Sequence, residues 1–192
     1  MEHELLLAYD TTIEGWMRAL GLKDRETEGH SYRLAGLSLA LARALGIGND
    51  DLIHLRHGAL LHDIGKMGIP DAILNKPGPL SDAEWGLTRR HPEFGFEILG
   101  PIPFLGPAAQ TAYCHHENCD GSGYPRGLKG ENIPLLARIV SVCNVYDSLI
   151  SDQPYRNGWG KKVALGYVEE AAGKQFDPEI VVAFIRLMSV EY

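Results

Sequence analysis

The chain has 192 residues, 45% of them hydrophobic, enough for one domain with a real core. Its net charge of -7 argues against DNA or RNA as a partner, because phosphate backbones select basic surfaces, but leaves room for a small anionic substrate beside a bound cation. No apolar run approaches the roughly 20 residues of a membrane span, and Met1-Glu2-His3-Glu4 carries no basic export signal, so the sequence predicts a cytoplasmic protein without membrane insertion.

Most of the chain reads as helix. Residues 3–20 place Leu5, Leu6, Tyr9, Ile13, Trp16 and Leu20 near helical spacing, with Gly21 as a stop. A second helix is predicted over about 26–45, with Leu34, Leu37, Leu41 and Leu45 on one face and Gly46 at its C′ position; His30 and Glu26 share the same stripe. Asn49 is an expected N-cap for a helix running to about Ile64, whose inner face holds Leu52, Leu55, Ala59 and His62. Ser81-Asp82-Ala83-Glu84 is a capping box. The helix it opens approaches His91-Pro92, where the proline disfavours helical backbone at His91, so a bend is expected there. A short helix from Phe104 to Tyr113 leads into Cys114-His115-His116.

Within residues 117–134, the stretch from Glu117 to Gly130 holds four glycines and a proline, which excludes a long regular element, and a loop of that length is usually functional. Helix resumes over Ile133–Ile150, with Leu136, Val140, Asn144 and Asp147 on one stripe; Asp177-Pro178 caps and opens a last helix. There is no strand alternation and no repeat. The fold class expected is a single all-α domain.

The chemistry concentrates in the histidines. His62 and Asp63 are adjacent, as are His115 and His116, and neighbours on a helix point roughly 100° apart. Adjacent ligands of that kind suit a cluster of two or three metal ions. A lone histidine on an apolar stripe is ordinarily a hydrogen-bonded core residue. Five of them (His30, His62, His91, His115, His116) together with Asp63 are not, because burying Asp63 without compensation would cost several kcal/mol and metal ions are the evident compensation. Lys66, about one turn after Asp63, is placed either to face a phosphate or to serve as a helix C-terminal cation. Cys114, Cys119 and Cys143 form no disulfide framework, and no second pair at finger spacing supports a structural zinc site.

The order His30, His62-Asp63-Ile64-Gly65-Lys66, His91, His115-His116-Glu117, Asp120-Gly121-Ser122-Gly123-Tyr124-Pro125 resembles the HD-GYP domain, the bacterial cyclic-di-GMP phosphodiesterase branch of the HD superfamily. The match runs from about Thr27 to Phe176. The resemblance implies an HD-type helical bundle with a loop extension, residues 26–192 forming the domain and 1–25 a helical lead-in. It implies two or three divalent ions, iron or manganese, and hydrolysis of cyclic-di-GMP to linear pGpG or GMP by a metal-bridged hydroxide. His30, His62, Asp63, His91, His115 and His116 match the family's metal ligands, with Asp63 bridging. Glu26 sits where some members support a third metal. Lys66 matches the phosphate-facing lysine, Tyr124 shapes the substrate cleft, and Arg156 meets a phosphate or guanine edge.

Two positions depart from the family pattern. Asn144 stands where the last ligand is normally aspartate; it keeps a carbonyl oxygen but loses the charge, and Asp147 lies one turn further on. Gln153 stands where an arginine is expected against substrate phosphate. The leading expectation is therefore a phosphodiesterase with weakened affinity. The alternatives are a catalytically impaired domain that binds a cyclic dinucleotide or a signalling protein, and a phosphodiesterase for another dinucleotide. Such domains are usually outputs of sensors, so a separate regulatory domain, a partner protein, or pairing of two copies through the first helix are all open.

Overall fold

The computed structural model describes residues 2–24, 27–152 and 157–190. Among the described residues ten α-helices follow one another: α1 (Glu2–Lys23), α2 (Thr27–Ala44), α3 (Asn49–Leu61), α4 (Asp71–Leu74), α5 (Asp82–Thr88), α6 (His91–Leu99), α7 (Gly106–Cys114), α8 (Leu135–Ile150), α9 (Lys161–Glu170) and α10 (Pro178–Val190). Short 3-10 turns occupy Ile64–Gly68, Pro103–Leu105 and Gly130–Asn132. Among the described residues there is no strand, only an isolated bridge between Ala172 and Phe176. The class is all-α.

α3 is the central helix. It packs against α2, α7 and α8, and Leu52, Leu55 and every residue from His57 to Leu61 are buried. That all-round burial explains its apolar C-terminal half. Around it close Leu34 and Leu41 of α2, Ala108 and Ala112 of α7, Val140 and Tyr146 of α8, and Phe184 of α10. α1 contributes Ile13 and Met17 to the same core. No helix of the described residues is long and apolar enough to cross a membrane.

Several helix ends follow the local chemistry. α2 closes in a Schellman turn: Gly46 has φ 77°, its N–H donates to Arg43 O at 3.0 Å, and Ile47 N–H donates to Ala42 O at 3.0 Å. The Ser81–Glu84 capping box is formed in both directions. Asp177 Oδ1 accepts the Glu179 N–H at 2.8 Å and so caps α10.

Several boundaries differ from expectation: α1 runs on through Gly21 to Lys23, and the helix expected from Phe104 begins at Gly106. Gly48, not Asn49, is the N-cap of α3, and Asp50 and Asp51 supply first-turn negative charge where a side-chain cap is absent. α3 stops at Leu61, because the chain tightens at Asp63 (φ -101°, ψ 7°) into the 3-10 turn beginning at Ile64. The break before Pro92 falls at Arg89–Arg90, and His91 is itself the first helical residue of α6. A proline in the first turn of a new helix sacrifices no internal hydrogen bond, so it starts α6 rather than bending α5. α4 and α9 were not anticipated: one is a single turn, the other a mostly polar surface helix with Ala164 and Val168 buried.

The turn after Asp63 exists because Gly65 permits it. A Cβ at Gly65 would overlap the His91 carbonyl oxygen and come within 2.5 Å of Gly95 N. The start of α6 is thus pressed against the Asp63 turn, backbone to backbone. Gly65→Ala is expected to push α6 away, costing about 1–3 kcal/mol or more of stability. Urea unfolding followed by circular dichroism checks this; wild-type stability in the variant would contradict it.

Candidate metal centre and substrate cleft

The candidate ligands come from helix ends. His62 follows α3, His91 opens α6, and His115 and His116 follow α7. Their imidazoles are in continuous ring contact: His62 and His115 at 5.1 Å, His91 and His115 at 5.4 Å, His91 and His116 at 5.1 Å. His30 of α2 joins through His62 at 5.5 Å.

Three of these rings are oriented by the same device. Nδ1 of His62 lies 2.8 Å from Ala59 O, Nδ1 of His91 lies 2.8 Å from Thr88 O, and Nδ1 of His115 lies 2.8 Å from Ala112 O. A carbonyl can only accept, so each Nδ1 carries the proton, and each ring turns inward its Nε2, the atom left to bind a metal through its lone pair. Those lone pairs meet one another and Asp63. His62 Nε2 is 3.3 Å from Asp63 Oδ2, His91 Nε2 is 3.2 Å from Asp63 Oδ1, and His91 Nε2 is 3.4 Å from His115 Nε2. Acceptor atoms crowded in this way repel unless a cation lies among them. Donor atoms sharing an edge of an octahedral ion at about 2.1 Å are spaced by about 3 Å, so the spacing fits a metal. Two triads offer ligand atoms within 4.8 Å of one another, His91-His115-His116 and His62-Asp63-His115.

Burial opposes charge on His115 and His116 first, and neighbouring imidazoles add to it; His115 is held well below the ordinary histidine value and His116 is lowered to about 3. Both are therefore neutral ligands at neutral pH. Burial would raise Asp63, but His62, Lys66 and the hydrogen bonds around it win and hold its carboxyl well below the usual range. Lys66 Nζ lies 2.9 Å from Asp63 Oδ2 and 2.8 Å from Asp24 Oδ2. Burial disfavours its charge, yet the two aspartates outweigh that and raise its pKa. The expectation that only metal could compensate Asp63 is thereby corrected: Lys66 already does. The convergent Nε2 lone pairs, not an uncompensated carboxylate, carry the metal assignment.

His30 is oriented differently. Its Nδ1 lies 2.6 Å from Asp147 Oδ2, and its Nε2 is 2.9 Å from Asn144 Oδ1, again two atoms that suit a shared cation. Asp147 is buried and also takes a two-pronged contact from Arg33, whose Nε and Nη2 both sit 2.9 Å from its oxygens. Its carboxylate is directed to these partners rather than into the cleft. Glu26, Gln153 and Arg156 lie outside the described residues.

A cleft of about 290 Å³ opens over His115, His116 and Asn144, walled by Tyr124, Asn118, Ser122, Gln175 and Arg89. The Tyr124 ring stacks on His116 at 4.7 Å and 18°. Its loop is pinned from beneath: Glu117, 2% exposed, accepts the N–H groups of Arg126 at 2.8 Å and Leu128 at 2.9 Å. Gly123 lies so close to His116 O and Asn118 N that any Cβ would overlap them, which lets Tyr124 N–H donate to His116 O at 3.1 Å. The outer edge is tied to the segment before α10 by Cys119 N–H to Gln175 O (3.1 Å) and Asp120 N–H to Lys174 O (2.8 Å). Sequence reasoning assigned no part to Asp24, Arg33, Arg89 or Gln175. Only Glu117 carried a local signal, its place directly after the histidine pair.

Because His115 and His116 are depressed below the unfolded value of about 6.5, the unfolded chain binds more protons as pH falls below that point. Stability of the metal-free protein is expected to fall with pH from about 6.5 downward, by up to about 1.4 kcal/mol per pH unit for each histidine. Asp63, also depressed, adds in the same direction below about pH 4. Denaturant midpoints in a chelator from neutral to mildly acid pH measure this; a flat profile would contradict it.

Comparison with known proteins agrees with the geometry. The HD domain family model matches residues 16–180. The chain is 40% identical over 177 residues to the cyclic di-GMP phosphodiesterase response regulator RpfG of Xanthomonas campestris, covering 91% of this chain and 47% of that protein. It is 40% identical over 178 residues to the 3'3'-cGAMP-specific phosphodiesterase 3 of Vibrio cholerae, covering 93% of this chain and 39% of that protein. It thus spans less than half the length of these curated relatives. Among solved structures, the HDG"Y"P protein Bd1817 of Bdellovibrio bacteriovorus superposes with a TM-score of 0.67 at 25% identity, covering 83% of this chain and 51% of that one. With the family match over most of its length and the Gly123-Tyr124-Pro125 segment at the mouth of its cleft, the chain belongs to the HD domain family, in its HD-GYP branch.

Proposed function

We propose that the chain is a metal-dependent phosphodiesterase that hydrolyses a cyclic dinucleotide, cyclic-di-GMP first, to linear pGpG or GMP. The observation that carries it is the inward convergence of imidazole Nε2 atoms on one carboxylate at the floor of a polar cleft. The names of the relatives support the substrate class.

His62, Asp63, His91, His115 and His116, with His30 and Asn144 at one side, are the residues that would hold two or three divalent ions. An imidazole and carboxylate set without thiolate suits iron or manganese. Bound there, such ions would supply an activated water and offset phosphate charge. The chain's own groups do the rest. Lys66 stays protonated and is held by Asp63 and Asp24 where it can donate to a phosphate oxygen. Tyr124 lies face to face with His116 and limits how deep the sugar-phosphate ring can sit. Asp147 fixes the His30 tautomer. Glu26 and Arg156 complete the proposal from the family pattern alone.

Asn144 does not favour a purely binding role, since its Oδ1 still lies 2.9 Å from His30 Nε2, close enough for the two to share a cation. It argues for a weaker metal site, not a missing one.

Manganese- or iron-loaded protein is expected to consume cyclic-di-GMP, followed by chromatography of the products. Asp63→Ala should reduce turnover by more than about a hundredfold, since losing even an outer partner of a ligand costs about 10–100-fold. Asn144→Asp should tighten manganese binding by about tenfold. A fully loaded wild type that leaves cyclic dinucleotides intact would sink the proposal. Asp24→Asn, which removes one of the two carboxylates that hold Lys66 and leaves the other, is expected to lower kcat by about tenfold at unchanged metal content; equal loss of metal would show a merely structural role.

A further inference from the structure

Arg89 stands in the turn between α5 and α6, on the rim of the cleft. Several other guanidinium groups are paired with carboxylates: Arg33 with Asp147, Arg56 with Asp10, Arg90 with Glu93, Arg138 with Asp177; among the described residues Arg89 is the arginine that lines the cleft. Arg89 has no carboxylate within ion-pair distance and no side-chain hydrogen bond among the described residues. Its guanidinium carbon instead lies 5.5 Å from the centroid of Tyr124 and 6.0 Å from that of Trp85. Tyr124 in turn rests on His116. A chain of net charge -7 thus keeps an unpaired cation on an aromatic shelf, one ring away from the imidazole cluster. Stacking holds the flat face of a guanidinium and leaves its N–H edge free, which is the edge that recognises phosphate oxygens.

A cyclic dinucleotide carries two phosphodiesters. On the function proposed above, on which this inference rests, one of them reacts at the Asp63 cluster beside Lys66. The other lies across the nucleotide ring, and Lys66 is already shared by Asp63 and Asp24. We infer that Arg89 binds the second, non-reacting phosphodiester of the cyclic dinucleotide from its seat on Tyr124. It sets affinity for the two-phosphate ring and touches none of the reacting atoms. This assigns to the α5–α6 turn the anion contact that a neutral Gln153 cannot supply.

The test compares wild type with Arg89→Gln, Arg89→Lys and Arg90→Gln. Dissociation constants for cyclic-di-GMP are measured on metal-free protein, and KM and kcat on manganese-loaded protein. Arg89→Gln is expected to weaken binding and raise KM by roughly tenfold with kcat and metal content nearly unchanged. Arg89→Lys should recover part of the loss, because charge is restored without the fork. Arg90→Gln, next to His91 in sequence but paired with Glu93 and not lining the cleft, should match wild type. The gap between wild type and Arg89→Gln should narrow between about 50 mM and about 0.5 M KCl, as a charge contact at an exposed site must. A gap independent of salt would mean that Arg89 reads a base edge and would overturn the assignment. So would unchanged binding and KM in Arg89→Gln while wild type remains active. A wild type that neither binds nor hydrolyses cyclic-di-GMP would remove the proposed function and this inference together, a result distinct from either.

Discussion

Asp63 stays ionised while only 7% exposed, and the arrangement around it rests on that carboxylate. One oxygen faces His62 and Lys66, the other faces His91 and, at 3.9 Å, His115. Elements distant in sequence therefore meet over a single side chain. The meeting is possible only because Gly65 lets the start of α6 touch the turn that carries Asp63. Backbone proximity and charge placement are one constraint here: moving α6 outward would separate His91 from Asp63 and open the cluster.

The cleft is built outward from that point in layers of decreasing burial. Neutral imidazoles form its floor, the His116–Tyr124 stack forms a wall, and Arg89 and Asn118 form a polar rim. Buried Glu117 converts a glycine-rich segment into a fixed wall, because its two oxygens satisfy two loop N–H groups that would otherwise need water. The same economy operates beneath Lys66, where Asp24 carries the end of α1 to the edge of the site.

Much of this was legible from local chemistry. The helical stripe of α2, the glycine at its end, the Ser81 capping box and the Asp177 cap are short-range patterns, and the structure keeps them. The adjacent His-Asp and His-His pairs pointed to one shared cluster of side chains that could hold metal, because neighbours in sequence must diverge in direction, and the structure brings His62, Asp63, His115 and His116 together. What escaped were contacts between residues far apart in the chain. Asp24 meets Lys66 across 42 positions and Arg33 meets Asp147 across 114, and neither spacing leaves a periodic trace. Pro92 misled for a different reason: its steric effect on His91 is real within a helix but vanishes at a helix start.

The manner in which the rings are aimed bears on how the site can drift over generations. His62, His91 and His115 take their orientation from main-chain carbonyls three residues back, atoms that every amino acid supplies. No single codon change at Ala59, Thr88 or Ala112 deletes such a partner, so those three rings are insulated from mutation at their supports. His30 is aimed by a carboxylate side chain, and one substitution at Asp147 releases it. The edge of the cluster shared by His30 and Asn144 is thus the part whose affinity evolution can tune in small steps, while the floor around Asp63 stays fixed.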